Sequence, residues 1–163
     1  MPKARKPKRQ IVAAAAPRLQ VAALCWRRSK KGLRILLVTS RDTGRWVIPK
    51  GWPMRNRDDS EAAAREAYEE AGLRGLVSDR SIGLYTYDKG MDNGRIVQVA
   101  VRVFPLEVRE MLRHYPETGQ RRVKWFDPEA AGRKVAEPKL KALIREFDPD
   151  RADHDVAAPA ASE

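Results

Sequence analysis

The chain has 163 residues, with 33 Lys and Arg against 22 Asp and Glu, a formal charge of +11 at neutral pH. That length and a hydrophobic content of 42% suit one domain with one core, in a field that attracts polyanions: nucleic acid, an anionic membrane or a highly phosphorylated small molecule. One cysteine, Cys25, excludes an intrachain disulfide and fits a reducing, cytoplasmic setting, and no apolar run approaches the ~20 residues of a membrane-spanning helix, so no membrane partner is expected.

Met1–Arg9 holds five basic residues and two prolines, and residues 1–17 read as a flexible basic arm. Leu19–Trp26 and Leu33–Thr39, both apolar with β-branched content, predict two strands joined by a basic turn. Cys25 lies in the first and is expected in core packing rather than as a nucleophile. Trp46–Ile48 predicts a short third strand leading into Pro49-Lys50-Gly51. A helix follows, described below. Leu76–Tyr87 predicts a strand with an irregular start, Gly90–Gly94 a turn, and the alternating Ile96–Leu106 a central strand pairing with the one before it. Glu107–Glu117 reads as a loop, Arg121–Phe126 as a strand and Pro128–Gly132 as a short helical turn. Pro138–Phe147 sets Leu140, Leu143, Ile144 and Phe147 at helical spacing, an amphipathic helix. Residues 148–163, rich in Ala, Asp and Pro, read as a disordered tail, which leaves residues 18–147 as the domain. His114 and His154 are expected at the surface. Mixed strands with one interior and one terminal helix predict an α/β fold, a sandwich of helices about a mixed sheet.

The chain is organised around Gly51–Leu73. Asp58 is a good N-cap with Glu61 three residues on, so the pair predicts a capping box. Alanines supply helix propensity, and Gly72 suits the left-handed residue that ends a helix. Glu66, Glu69 and Glu70 stand at i, i+3 and i+4 and share one face. Ala64, Ala67, Tyr68 and Ala71 lie on the other arc and are expected against the sheet. Three like charges on one face repel; a hard divalent cation, Mg²⁺ or Mn²⁺, reverses that sign and takes carboxylate oxygens. Arg65 stands four residues from both Glu61 and Glu69, where it can orient the acids.

At these residues the segment resembles the signature box of the Nudix hydrolases, G-x5-E-x7-R-E-U-x-E-E-x-G-U with U aliphatic. Gly51, Arg65, Glu66, Glu69, Glu70, Gly72 and Leu73 fall in register. Arg57 stands where the box has its first Glu, and the small Ala67 stands at its first aliphatic position. The resemblance implies metal-assisted hydrolysis of a phosphoanhydride, with Glu66 and Glu70 as metal ligands. It leaves Glu69 as a further ligand or as the proton acceptor, the role preferred here, beside the catalytic helper Arg65. A backbone carbonyl at Lys50-Gly51 is expected to complete the metal shell.

The stretch Arg41–Met54 looks like the branch that cleaves diphosphoinositol polyphosphates and dinucleoside polyphosphates. Trp125-Phe126 and the first strand echo the same branch. In it, basic side chains clamp the phosphates. The matching positions are Arg18 or Gln20, Ser40 and Arg41 in the turn after Thr39, Arg45, Lys50, Arg95 and Arg121. Trp46 and Trp52 are expected in turn and core packing. The competing readings are an RNA 5′-pyrophosphohydrolase, an ADP-ribose pyrophosphatase and a non-catalytic polyanion-binding module. A polyphosphorylated small molecule is favoured over nucleic acid because the sequence has no basic-aromatic RNA platform. The oligomeric state is not fixed by the sequence.

Overall fold

The computed structural model describes residues 17–151. The basic arm up to residue 16, the tail from residue 152 and His154 lie outside the described residues. Among the described residues the elements follow in the order β1 (Arg18–Ser29), β2 (Gly32–Thr39), β3 (Trp46–Val47), β4 (Lys50–Gly51), α1 (Asp59–Ala71), β5 (Leu73–Val77), β6 (Gly83–Gly90), β7 (Ile96–Met111), β8 (Val123–Phe126), α2 (Pro128–Lys134) and α3 (Pro138–Glu146).

One mixed sheet runs in the order β3-β2-β1-β7-β5, with β4 on β1, β6 on β7 and β8 on β2. Its only parallel pair among the described residues joins β1 to β7, Arg18 opposite Val99 through Trp26 opposite Glu107. These two central strands are covered on both faces. Along β1, Ala22, Leu24 and Trp26 enter one core with Ala131, Val135, Leu140 and Ile144 of the α2–α3 layer. Val21, Ala23 and Cys25 enter the other, with Ala62, Ala63, Ala67 and Ala71 of α1. A strand buried on both faces reads as a continuous apolar run rather than an alternation, as Val21–Trp26 does. The predicted sandwich of helices about a mixed sheet is the fold observed.

The differences from the sequence reading have local causes. The span Leu76–Tyr87 is two strands, not one. β5 pairs with the far end of β7, Leu73 opposite Met111, and β6 with its near end, Gly90 opposite Ile96. Between them Ser78–Ile82 bends around the Ser78 hydroxyl, which accepts from the Arg80 backbone N–H at 3.2 Å, and β5 and β6 keep one direction, both antiparallel to β7. Glu107–Met111 is strand, not loop, because β5 supplies the ladder partner that the polar sequence does not advertise. On α1, Gly72 closes the helix at φ 69°, as expected, but Asp58 makes no side-chain cap hydrogen bond. The capping box is therefore absent. Asp59 instead pairs with Arg102 of β7 at 3.2 Å. The packed face is also rotated: Ala62, Ala63, Ala67 and Ala71 are buried, whereas Ala64 and Tyr68 are only partly so. Tyr68 receives the guanidinium groups of Arg65 and Arg74 on its ring, 4.8 and 5.3 Å from the centroid. That rotation turns Glu70 inward, at 6% exposure.

Candidate active site

A cleft of about 560 Å³ opens between α1, the β4 segment, the Ser40–Asp42 turn and the loop before β8. The three acids Glu66, Glu69 and Glu70 line one wall. Ser40, Arg41, Lys50, Gly51 and Arg121 line the rest, so most of the residues singled out in the sequence meet here.

Each acid is held differently. Arg65 does not line the cleft, but its Nε donates to Glu69 Oε1 at 2.9 Å, the orienting role expected of it. Glu70 accepts from the Lys50 backbone N–H at 3.3 Å and pairs with Arg121 at 3.3 Å. Glu66 has no ion-pair partner among the described residues and lies against Gly51, where an added Cβ would run into its carboxylate. Only a glycine lets the chain pass that close. Burial first, and then the charges of Glu70, Glu69 and Glu117, push Glu66 up to about 8. Burial also lifts Glu70, though Arg121 and Lys50 limit the rise to about 7. Desolvation lowers the Lys50 ammonium, against the pull of Glu70. The acids are thus short of positive charge where they stand.

Three predicted contacts fall outside the cleft. Arg18 opens β1 at an exposed position. Arg45 sits in the exposed turn before β3, its Nε at 3.3 Å from Thr43 Oγ1. Arg95 lies in the exposed β6–β7 turn, which Asn93 closes on its backbone. Trp46 packs edge-on against Phe126 at 5.2 Å, as expected, while Trp52 lines the cleft at 40% exposure. His114 is exposed and Cys25 fully buried, its thiol pushed up by desolvation, again as read from the sequence.

The sequence reading missed Glu117, Tyr87 and Lys89. Glu117 sits on the loop before β8 and pairs with Arg41 at 3.3 Å and Arg121 at 3.4 Å; with Asp42 it brings the carboxylates lining the cleft to five. Its backbone N–H is tied to the Glu69 carbonyl at 3.0 Å, a long-range contact with no local signal. Tyr87 and Lys89 had a signal: they share the inward face of β6 with Tyr85 by simple alternation. Tyr87 donates to buried Gln20 Oε1 at 2.6 Å, and the Lys50 ammonium lies 5.1 Å over the Tyr87 ring.

A family model for the NUDIX domain matches residues 17–148. The chain belongs to the Nudix hydrolase family. Among curated relatives, mouse diphosphoinositol polyphosphate phosphohydrolase 3-alpha is 30% identical over 115 residues, 69% of this chain and 65% of the relative. The mitochondrial Nudix hydrolase 16 of Arabidopsis thaliana is 32% identical over 123 residues, 73% of this chain and 68% of the relative. The match to the first thus spans just under two thirds of its length. These relatives bear out the expected branch. In fold, the chain is similar to the Caenorhabditis elegans Ap4A hydrolase in a binary complex, with TM-score 0.60, 21% identity and coverage of 83% of this chain and 98% of that one.

The family implies a divalent cation. Among the described residues no three Asp, Glu, His or Cys side chains converge into a ready-made ion site. The donor set nevertheless suits one. Glu66 has no ion-pair partner among the described residues, Glu70 faces the same cleft, and Gly51 leaves room beside them. All are hard oxygen donors, the type that Mg²⁺ and Mn²⁺ select. Arg65 and Arg121 hold Glu69 and Glu70 in ion pairs at 2.9 and 3.3 Å.

Proposed function

We propose that the chain is a Mg²⁺- or Mn²⁺-dependent hydrolase that cleaves phosphoanhydride bonds in polyphosphorylated small molecules, of the diphosphoinositol polyphosphate or diadenosine polyphosphate type. The observation that carries this is one cleft in which the α1 acids face Arg41, Lys50, Lys89 and Arg121. Acids alone would repel a phosphate chain, and cations alone would only bind it. Side by side they can hold the chain and a metal together. Glu66 and Glu70, with a backbone oxygen at Lys50-Gly51, are the residues to hold the ion. When bound, such an ion polarises phosphoryl oxygens and acidifies water. Glu69, with Oε1 fixed by Arg65, keeps Oε2 to accept a proton from the attacking water. The relatives named as diphosphoinositol polyphosphate phosphohydrolases support the substrate class, and the guanidinium forks of Arg41 and Arg121, which line the cleft, suit it chemically.

The test is turnover of a panel by purified protein with Mg²⁺ or Mn²⁺. The panel holds diadenosine penta- and hexaphosphate, diphosphoinositol pentakisphosphate, ADP-ribose and triphosphorylated RNA. Preference for either of the first two classes is expected. A hundredfold preference for ADP-ribose or RNA would overturn the substrate choice, and no turnover of any member would leave a polyanion-binding module. Glu70→Gln is expected to fold and to lose at least about a hundredfold in kcat. Retained turnover would remove Glu70 from the site.

A further inference from the structure

We propose that Arg121 is a positioning residue that competes with the divalent cation for Glu70 and Glu117 and, once displaced, binds a phosphate oxygen of the substrate. The inference rests on the hydrolase reading above and adds an order of events to it.

Arg121 has only 10% of its side chain exposed. One nitrogen, Nη2, is shared between Glu70 Oε1 at 3.3 Å and Glu117 Oε1 at 3.4 Å. Its Nη1 donates to the Thr39 carbonyl at 3.1 Å. Its Nε is buried and has no hydrogen-bond partner among the described residues. A strong guanidinium–carboxylate pair is about 2.7–2.9 Å and commonly two-pronged. Here one prong serves two acids, both at long distance, and a third donor is idle. This is a compromise contact, and buried ion pairs of that kind contribute little net stability.

One of the two acids it holds is a proposed metal ligand and the other lies beside it. Glu70 is an expected ligand, and Glu117 reaches the same cleft from the loop before β8. A divalent ion brings twice the charge to the same oxygens in a smaller radius. It also repels a guanidinium seated beside it. A divalent ion on Glu70 would draw charge from Oε1 and repel the guanidinium, and so would weaken an Arg121 contact that is already long at 3.3 Å. The displaced fork stays in a cleft already lined by Arg41, Lys50 and Lys89, where a phosphate chain is the available anion. Metal loading therefore arms a phosphate clamp, and the guanidinium stabilises the acids until the ion arrives.

Two measurements test this. Arg121→Met is expected to tighten Mn²⁺ binding, read by calorimetry without substrate, by about tenfold or more. The same variant is expected to raise KM for the preferred substrate by about tenfold at saturating metal. Effects of opposite sign on the two ligands are something a merely structural arginine would not give. Arg121→Lys keeps the charge and should leave Mn²⁺ affinity near wild type while raising KM. Unchanged or weakened Mn²⁺ binding in Arg121→Met would overturn the proposal. The second measurement needs no stable Met variant. In ¹⁵N-arginine-labelled wild-type protein, the Arg121 Nε–H signal, identified by its loss in Arg121→Lys, should shift and lose protection as Mg²⁺ is added. A signal indifferent to saturating Mg²⁺ would also overturn it. If wild-type protein binds no divalent ion, the hydrolase reading itself falls, a result distinct from either of these.

Discussion

Glu66 and Glu70 combine burial with like charge. Burial and the neighbouring carboxylates raise Glu66 to about 8, and burial raises Glu70 to about 7 against the pull of Arg121 and Lys50. The sign of the linkage is the reverse of a salt-bridged acid. A carboxylate whose folded value lies above its unfolded value binds more protons folded than unfolded, so it destabilises the fold as it ionises. EDTA-treated protein should therefore lose thermal stability as pH rises from about 5 to about 8. Glu66→Gln, which cannot ionise, should flatten that slope. Added Mg²⁺ should raise Tm more at the alkaline end, where the acids are charged. A Tm that holds level across this range in EDTA would mean that the acids carry no such penalty. The same residues show the reach and the limit of reading a sequence. The spacing i, i+3, i+4 put three acids on one face of a helix, and it could do so because that geometry is local. It could not say that Glu70 would be 6% exposed and Glu66 without an ion-pair partner among the described residues, because burial depends on which arc of alanines meets the sheet.

At the scale of elements, the site depends on how β4 meets α1. β4 is two residues long, held on β1 with Gly51 opposite Val21, and α1 brings Glu66 down onto that glycine. A methyl group at position 51 would meet the end of a flexible side chain rather than backbone. Gly51→Ala should therefore keep the fold, with a circular dichroism spectrum like that of wild type. It should displace the Glu66 carboxylate and, on the proposed role of Glu66 as a ligand, weaken Mn²⁺ binding by about tenfold or more. Wild-type Mn²⁺ affinity in that variant would show that Glu66 does not need its present seat. Elements with a strong local pattern were legible: both flanking strands, α1 with its Gly72 stop, and α3 from its four apolar positions. Those defined by pairing were not. The end of β7 and the break between β5 and β6 follow from ladder partners distant in sequence, and no local propensity encodes them.

In the whole molecule, two cores on opposite faces of one sheet hold α1 on one side and α2 and α3 on the other, and the cleft lies at the edge of the α1 layer. What the sequence left unread at this scale is which of many arginines face the cleft. With 33 basic residues, a match of position alone cannot separate Arg121, which is nine-tenths buried, from Arg18, Arg45 and Arg95, which stand in solvent. Those exposed cations still have a physical effect, because charge acts at a distance. A chain of formal charge +11 draws a polyphosphate toward any mouth on its surface, and such steering is worth roughly 10- to 1000-fold in association rate at low salt. Screening shortens the field from about 10 Å at 0.1 M salt to about 3 Å at 1 M. The buried groups at the cleft floor are screened far less. The two contributions separate in kinetics. kcat/KM, which includes encounter, should fall steeply with ionic strength, while kcat, which begins from the bound complex, should change little. Replacing Arg18, Arg45 and Arg95 together by Gln should lower kcat/KM at low salt and leave kcat alone, with the difference vanishing at high salt. If instead the triple variant loses kcat, or loses kcat/KM equally at all salt concentrations, those arginines contact the substrate directly.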